Sequence, residues 1–168
     1  MGAADRGTAA GHRIAIIGMA GRFPGAVDLD QFWQNLVDGV ESVTWLTEDD
    51  LTASGVPAQE FRQPHYVNAA FCMEDMEYYD ARFFGDTPRE AQTRDPQIRW
   101  FLETCYAAVQ DSGYDPARIQ GLVGVVGGMS NNFYGERYVR RNKALGDAVG
   151  SMAIGVGSHP DYLATAVS

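Results

Sequence analysis

Thr87-Pro-Arg-Glu-Ala-Gln-Thr-Arg-Asp-Pro-Gln-Ile-Arg-Trp-Phe-Leu-Glu103 is the stretch whose reading decides the fold of this 168-residue chain. It opens polar, turns amphipathic and carries a proline at position 96. Proline has no N–H, and its ring collides with the preceding turn. It is tolerated in the first turn of a helix and disfavoured in the interior. Pro88 to Ser112 is therefore expected to form two helices meeting at Pro96, with Asp95 as boundary and N-cap. Beyond it, Ile98, Phe101, Leu102, Cys105 and Val109 make one apolar stripe, which Gly113 ends. Cys105 lies on that stripe and reads as a core thiol.

Upstream, Arg13 to Gly18 reads as a short buried strand, because Ile14, Ala15, Ile16 and Ile17 run apolar without alternation. Leu29 to Val37 reads as an amphipathic helix. Leu29, Phe32, Trp33, Leu36 and Val37 share one face, Asp28 is the N-cap with Gln31 three residues on, and Gly39 is the stop. Residues 41–67 are turn-rich, and Val67 to Tyr79 suggests short strands or a hairpin. Tyr78, Tyr79, Phe83 and Phe84 form an aromatic packing cluster. Downstream, Leu122 to Val126 reads as a second buried strand closed by Gly127-Gly128. Ser158 to Asp161 resembles a capping box, with Pro160, Tyr162, Leu163 and Val167 in a last helix. Alternating strands and helices imply an α/β class. The expected organisation is a flexible tail over residues 1–12 and one domain over 13–168.

The net charge of −9 and pI near 4.6 disfavour nucleic acid, whose phosphates require clustered Lys and Arg. The one basic cluster, Arg137, Arg140, Arg141 and Lys143, reads as a solvated face or as a contact for an acidic partner. No run approaches the roughly 20 apolar residues of a membrane span. The first dozen residues lack the apolar core of a secretory signal. Cys72 and Cys105 stand in no CxxC or Cys/His ligand pattern. They read as reduced thiols of a cytoplasmic protein rather than as a metal site.

Other motifs weigh little. Gly18-Met-Ala-Gly21 lacks the second glycine of a dinucleotide fingerprint, and Phe23-Pro24-Gly25 would break the helix it needs. Ser158, His159 and Asp161 have the residue types of a hydrolase triad, but sequence neighbours rarely take its geometry. Capping explains Ser158 and Asp161 better. His12 and His65 read as surface histidines, and Glu48-Asp49-Asp50 and Glu74-Asp75 as solvated carboxylates. No catalytic, cofactor-binding or metal-ligating residue is therefore assigned, and no cofactor is expected.

Several blocks in order resemble the N-terminal part of a type I modular polyketide ketosynthase, a β-ketoacyl synthase. They are Ile16-Ile-Gly-Met-Ala-Gly-Arg-Phe-Pro-Gly25, Phe32-Trp33 with Leu36 and Gly39, and Tyr79-Asp-Ala-Arg-Phe-Phe-Gly85 leading to Pro88-Arg-Glu-Ala91. Asp95-Pro96-Gln97, Glu103 and Gly113-Tyr-Asp-Pro116 follow. Val123-Gly-Val-Val-Gly127 and Tyr162-Leu-Ala-Thr-Ala-Val-Ser168 complete the series. The resemblance spans nearly everything from Ile14 to Ser168. It implies a partial thiolase-like fold, the N-terminal half of a ketosynthase.

It also implies decarboxylative Claisen condensation in polyketide or hybrid peptide–polyketide biosynthesis. There a cysteine takes the acyl chain and two histidines assist decarboxylation of a carrier-bound extender. None of these three residues can be carried over. The Thr-Ala-Cys-Ser-Ser type motif of the nucleophile would lie after Ser168, and both histidine motifs further on. The expectation is a truncated protein, inactive alone, with an acyl carrier protein or another component of the synthase as partner. A dimer or hetero-complex would cover the unpaired face. Other readings are a noncatalytic docking module and a fragment of a complete ketosynthase. Leaving roughly 600 Å² of apolar surface uncovered would forfeit about 15 kcal/mol at ~25 cal/mol per Å², as much as a domain's whole stability. Two departures from the family pattern stand out: Ala166 where Arg is usual, and Asp86-Thr87 in place of a more apolar pair.

Overall fold

The computed structural model describes residues 14–130 and 133–168. The expected tail over residues 1–12, with His12, lies outside the described residues. The elements in chain order are α1 (Leu29–Asp38), β1 (Thr44–Trp45), α2 (Glu48–Ala53), α3 (Ala58–Phe61), β2 (Ala69–Ala70), α4 (Pro88–Thr93), α5 (Pro96–Ser112) and α6 (Lys143–Ser158). Short 3-10 turns lie at Pro116–Arg118 and Pro160–Tyr162, and one π-helical turn at Gly135–Val139.

The deciding stretch folds as two helices. The Thr87 hydroxyl accepts from the Glu90 N–H while the Glu90 carboxylate accepts from the Thr87 N–H, a reciprocal cap that starts α4 at Pro88. Asp95 takes extended backbone and its carboxylate accepts from the Gln97 N–H at 2.7 Å, which starts α5 with Pro96 in its first turn. Gly113 closes α5 in the left-handed region, where a side chain would be strained. The N-terminal helix is also as read: Asp28 accepts from the Gln31 N–H, and Gly39 caps the end.

The core gathers around the first half of α5. Ile98, Leu102 and Leu163 are buried together, flanked by Tyr79, Phe84, Phe101, Met129, Ala166 and Val167. Phe83 and Phe84 meet edge to face, and Phe83 does the same with Tyr106. Tyr78 stands apart from that aromatic cluster, exposed. A second contact joins α4 to α6. The Asp95 N–H donates to the Gly157 carbonyl at 2.7 Å. Gly157 lies so close that a Cβ there would sit 2.6 Å from the Thr93 carbonyl oxygen.

Three expectations are corrected. Arg13 to Gly18 does not form a buried strand: residues 14–18 take no regular secondary structure, with Ile14 92% and Ile16 80% exposed. Leu122 to Val126 is likewise without regular secondary structure and open, with Leu122 and Val126 fully exposed. The physical reason is shared. A strand is defined by a neighbour that satisfies its N–H and C=O groups, and among the described residues none is offered to either run. Of the two readings of Val67 to Tyr79, a short strand is the one found: β2 pairs antiparallel with β1, Thr44 opposite Ala70 and Trp45 opposite Ala69. Third, Ser158 does not open a last helix. It ends α6, and His159 caps the following turn, its Nδ1 accepting from the Asp161 N–H at 3.4 Å.

Candidate functional site

The residues singled out for chemistry do not converge. Ser158 sits at the end of α6 with its hydroxyl near the Thr93 carbonyl. His159 and Asp161 face each other at 3.5 Å on the surface, and nothing aligns Ser158 as a nucleophile for that imidazole. Cys72 is exposed and Cys105 half-buried, both as free thiols. Burial pushes the Cys105 thiol above its ordinary value, which makes it a poor nucleophile at neutral pH. His65 is exposed. Among the described residues no group of three His, Cys, Asp or Glu side chains could hold a metal ion.

Two arrangements are organised. The first surrounds Asp86. Its carboxylate takes Arg94 with both oxygens, at 2.7 Å from Nε and 2.6 Å from Nη2, and the Tyr79 hydroxyl donates to it at 2.8 Å. Burial and the neighbouring carboxylate both raise the Tyr79 phenol. Burial alone would lower the Arg94 guanidinium, but Asp86, with Tyr79 and Glu90, more than reverses that. Next to it, buried Arg99 donates to the Arg94 carbonyl at 2.8 Å and to the Tyr134 hydroxyl at 2.9 Å, with Tyr79 and Tyr134 rings near its guanidinium. No sequence signal marked Arg99 as buried. Its bidentate and stacking capacity is the reason it can be.

The second is the surface where residues 17–22 and 127–130 lie against α5. Gly18 packs on the backbone of Ala108 and on Ser112, closer than any Cβ could. The Met19 N–H donates to Asp111 at 2.8 Å, and Arg22 pairs with Glu103 at 3.5 Å. These contacts open a cleft of about 510 Å³, lined by Arg22, Asp28, Asp30, Glu103 and Asp111 among others. Further along, Gly127 packs on Phe101 and Leu163, and the Ser130 N–H donates to the Gln97 side chain at 3.2 Å. The basic residues Arg137, Arg140, Arg141 and Lys143 are all exposed around the turn into α6, where Arg140 pairs with Glu136 at 2.8 Å.

Helix α5 with its two flanking segments carries the same ordered blocks that marked a condensing-enzyme lineage, and comparison with known proteins agrees. The chain belongs to the family "Beta-ketoacyl synthase, N-terminal domain", whose model matches residues 11–168. It is 46% identical over 121 residues to a phenolphthiocerol/phthiocerol polyketide synthase of Mycobacterium tuberculosis, a match covering 72% of this chain and 8% of that protein. Polyketide synthase ThaG of Burkholderia thailandensis is 36% identical over 156 residues, 88% of this chain and 3% of that protein. The chain thus spans under a tenth of these relatives' length. Among solved structures, ketosynthase twelve of the bacillaene polyketide synthase of Bacillus amyloliquefaciens matches with TM-score 0.53 and 39% identity. That match covers 60% of this chain and 18% of that one. The ketosynthase from module 6 of the bacillaene synthase of Bacillus subtilis 168 matches with TM-score 0.51 and 34% identity over 60% of this chain and 17% of that one. The fold is therefore a partial thiolase-like fold of the ketosynthase N-terminal part.

Proposed function

We propose that these 168 residues serve as the N-terminal scaffold of a condensing domain in polyketide or hybrid peptide–polyketide assembly. The scaffold is inactive in decarboxylative condensation until residues bearing the nucleophilic cysteine and the two histidines join it, in cis or in trans. Neither Cys72 nor Cys105 lies in a nucleophile motif, and Cys105 is half-buried with a raised thiol pKa.

The observation that carries this reading is uncovered surface. A compact monomer of 18.4 kDa exposes about 8,200 Å², whereas this chain exposes 13171 Å². Allowing the fifteen remaining residues the full exposure of an unfolded chain, about 160 Å² each, still leaves an excess of about 2,600 Å². Matched by an equal area on a partner, it would bury about 5,200 Å² in total, at the upper end of obligate interfaces, and much of it is apolar: Ile14, Ile16, Leu122, Val126 and Met152 all stand open. A polypeptide completing the condensing domain is the partner of matching size.

An acyl carrier protein docks at the exposed Arg137, Arg140, Arg141 and Lys143, whose charge suits its acidic surface. The site of action is the cytoplasm, in keeping with the two free thiols.

The test is a fusion in which residues 11–168 replace the matching segment of ketosynthase twelve of the bacillaene synthase. The expected result is acylation of the nucleophilic cysteine by an acyl thioester and elongation with a carrier-bound extender, both followed by mass spectrometry. A folded fusion that takes up no acyl group, or condensation by the 168 residues alone, would overturn the proposal.

A further inference from the structure

The basic turn ahead of α6 is held from behind. Tyr134 opens it, and the π-helical turn Gly135–Val139 follows. Such turns are rare and frequently mark functional sites. Gly135 and Val139 are buried. A Cβ on Gly135 would stand 3.0 Å from Ile154 Cγ2 and 3.0 Å from the Ser158 hydroxyl, so the turn lies tight on the second half of α6. The cations are on the outside: Arg137, Arg140, Arg141 and Lys143 are all exposed.

A polar pin fastens this turn to the core. Arg99 Nη2 donates to the Tyr134 hydroxyl at 2.9 Å, and that hydroxyl donates to the Gln92 carbonyl at 2.9 Å. A guanidinium can only donate. The phenol oxygen therefore accepts from it, and the phenol hydrogen is left for Gln92, which fixes the direction of both bonds. Arg99 is itself 7% exposed and held by the Arg94 carbonyl at 2.8 Å. The Tyr134 ring adds a face 5.7 Å from its guanidinium carbon. The residue that opens the basic turn is thus tied to the junction of α4 and α5.

Long cationic side chains lose freedom when they bind, and a loose turn would add its own backbone entropy to that loss. Charge governs how fast an acidic partner arrives, and a fixed arrangement governs how long it stays.

We infer that Arg99 and Tyr134 are positioning residues for carrier docking. Through the turn Gly135–Val139 they hold Arg137, Arg140, Arg141 and Lys143 in the arrangement that an acidic carrier surface meets. The inference rests on the carrier-docking reading proposed above and deepens it. Arg99 is buried and acts only through Tyr134.

The experiment follows binding of an acyl carrier protein of the bacillaene synthase to the immobilised 168-residue chain by interferometry, at several salt concentrations. Tyr134→Phe keeps the ring and removes both hydrogen bonds. Arg99→Lys keeps the charge and removes the fork. Each is expected to speed dissociation roughly fivefold or more, with association and its salt dependence within about twofold of the parent. Arg140→Glu combined with Arg141→Glu is expected instead to slow association about tenfold. A variant that merely unfolds part of the population would lower apparent association and leave dissociation of the bound fraction unchanged. That result for Tyr134→Phe, or dissociation as in the parent, would overturn the inference. Where thermal melting shows that Arg99→Lys does not fold, Tyr134→Phe decides alone. A parent chain that binds no carrier, or unaltered association in the double variant, would overturn the docking reading and the inference with it. An inactive fusion beside intact carrier binding would overturn the scaffold role alone.

Discussion

Asp86 and Arg94 form a two-point ion pair, Nε to Oδ2 at 2.7 Å and Nη2 to Oδ1 at 2.6 Å, with the Asp86 side chain 7% exposed. The pair is a charged clamp between the aromatic turn and the end of α4. Removing one partner of a buried pair strands the other charge. Asp86→Asn is expected to destabilise by about 2–4 kcal/mol, and Tyr79→Phe, which loses one hydrogen bond, by about 1 kcal/mol. Urea unfolding of the two variants checks the order: a larger loss for Tyr79→Phe would contradict the clamp.

Gly157 is the point where α6 touches α4. Gly157→Ala places a methyl 2.6 Å from the Thr93 carbonyl oxygen, forcing the helices apart at a cost of about 1–3 kcal/mol. Gly155→Ala, two residues away, meets nothing within 4 Å and is expected to stabilise by up to about 1 kcal/mol. Thermal melts of the pair give opposite signs if the contact is as described.

The caps of α2 and α4 set an acid limit. The Thr47 hydroxyl and N–H hold Asp50, and the Thr87 N–H and hydroxyl hold Glu90, each below its ordinary value of 3.8 or 4.5. A depressed carboxylate stabilises the fold above its unfolded pKa. That stability is lost as pH falls through the folded pKa. Unfolding free energy should therefore fall as the pH drops below about 4.5. Glu90→Gln, which keeps an acceptor but loses the charge, should flatten part of that fall in an acid titration followed by circular dichroism.

Asp95 works in the opposite direction. Burial raises its carboxyl above 3.8, against the lowering effect of the Gln97 N–H. In the window between 3.8 and its raised value the folded state holds more protons than the unfolded one, so this group's contribution weakens as pH rises. Asp95→Asn keeps the cap and removes the titration. Its stability relative to the parent should therefore improve from pH 3 to pH 6, whereas Asp95→Ala should lose about 0.5–2 kcal/mol with the cap.

Thiol labelling separates the cysteines. Exposed Cys72 is expected to react with iodoacetamide at least tenfold faster at pH 7.5 than half-buried Cys105, whose thiol is held protonated. Equal rates, measured by peptide mass spectrometry, would show that α5 opens readily.

Helices α1, α4 and α5 were legible because their signals are local, whereas the short helices α2 and α3 fall in the stretch 41–67 that reads only as turn-rich. Asp28, Thr87, Asp95, Pro96 and Gly113 each act within three residues, so the chain itself carries the instruction. The strands were not, because Ile14 to Ile17 and Leu122 to Val126 announce burial but cannot supply the neighbour that makes them strands. Helix α6 gave no signal: Gly146, Gly150, Gly155 and Gly157 oppose a helix by propensity, and only tertiary features explain two of them, the packing of Gly157 on Thr93 and the left-handed backbone at Gly150. Gly150 breaks it locally with φ of 76°. The turn after it was misassigned because Ser158, His159 and Asp161 can all cap, and the end of α6 consumed the serine. Family membership was legible in the ordered blocks. The Asp86 clamp and the Arg99 hub were not, since both join residues whose pairing only the tertiary fold decides.

Arg99 also bears on the order of assembly. Its guanidinium reaches partners 5, 22 and 35 residues away, the Arg94 carbonyl, a longer 3.5 Å contact to the Glu77 carbonyl and the Tyr134 hydroxyl. Satisfying it requires loops on both sides of α5 to have closed, so its bonds carry the chain-closure entropy of two distant segments at once. Helix α5 can nucleate on its own caps, but Arg99 locks only when the aromatic turn before it and the turn before α6 have both arrived.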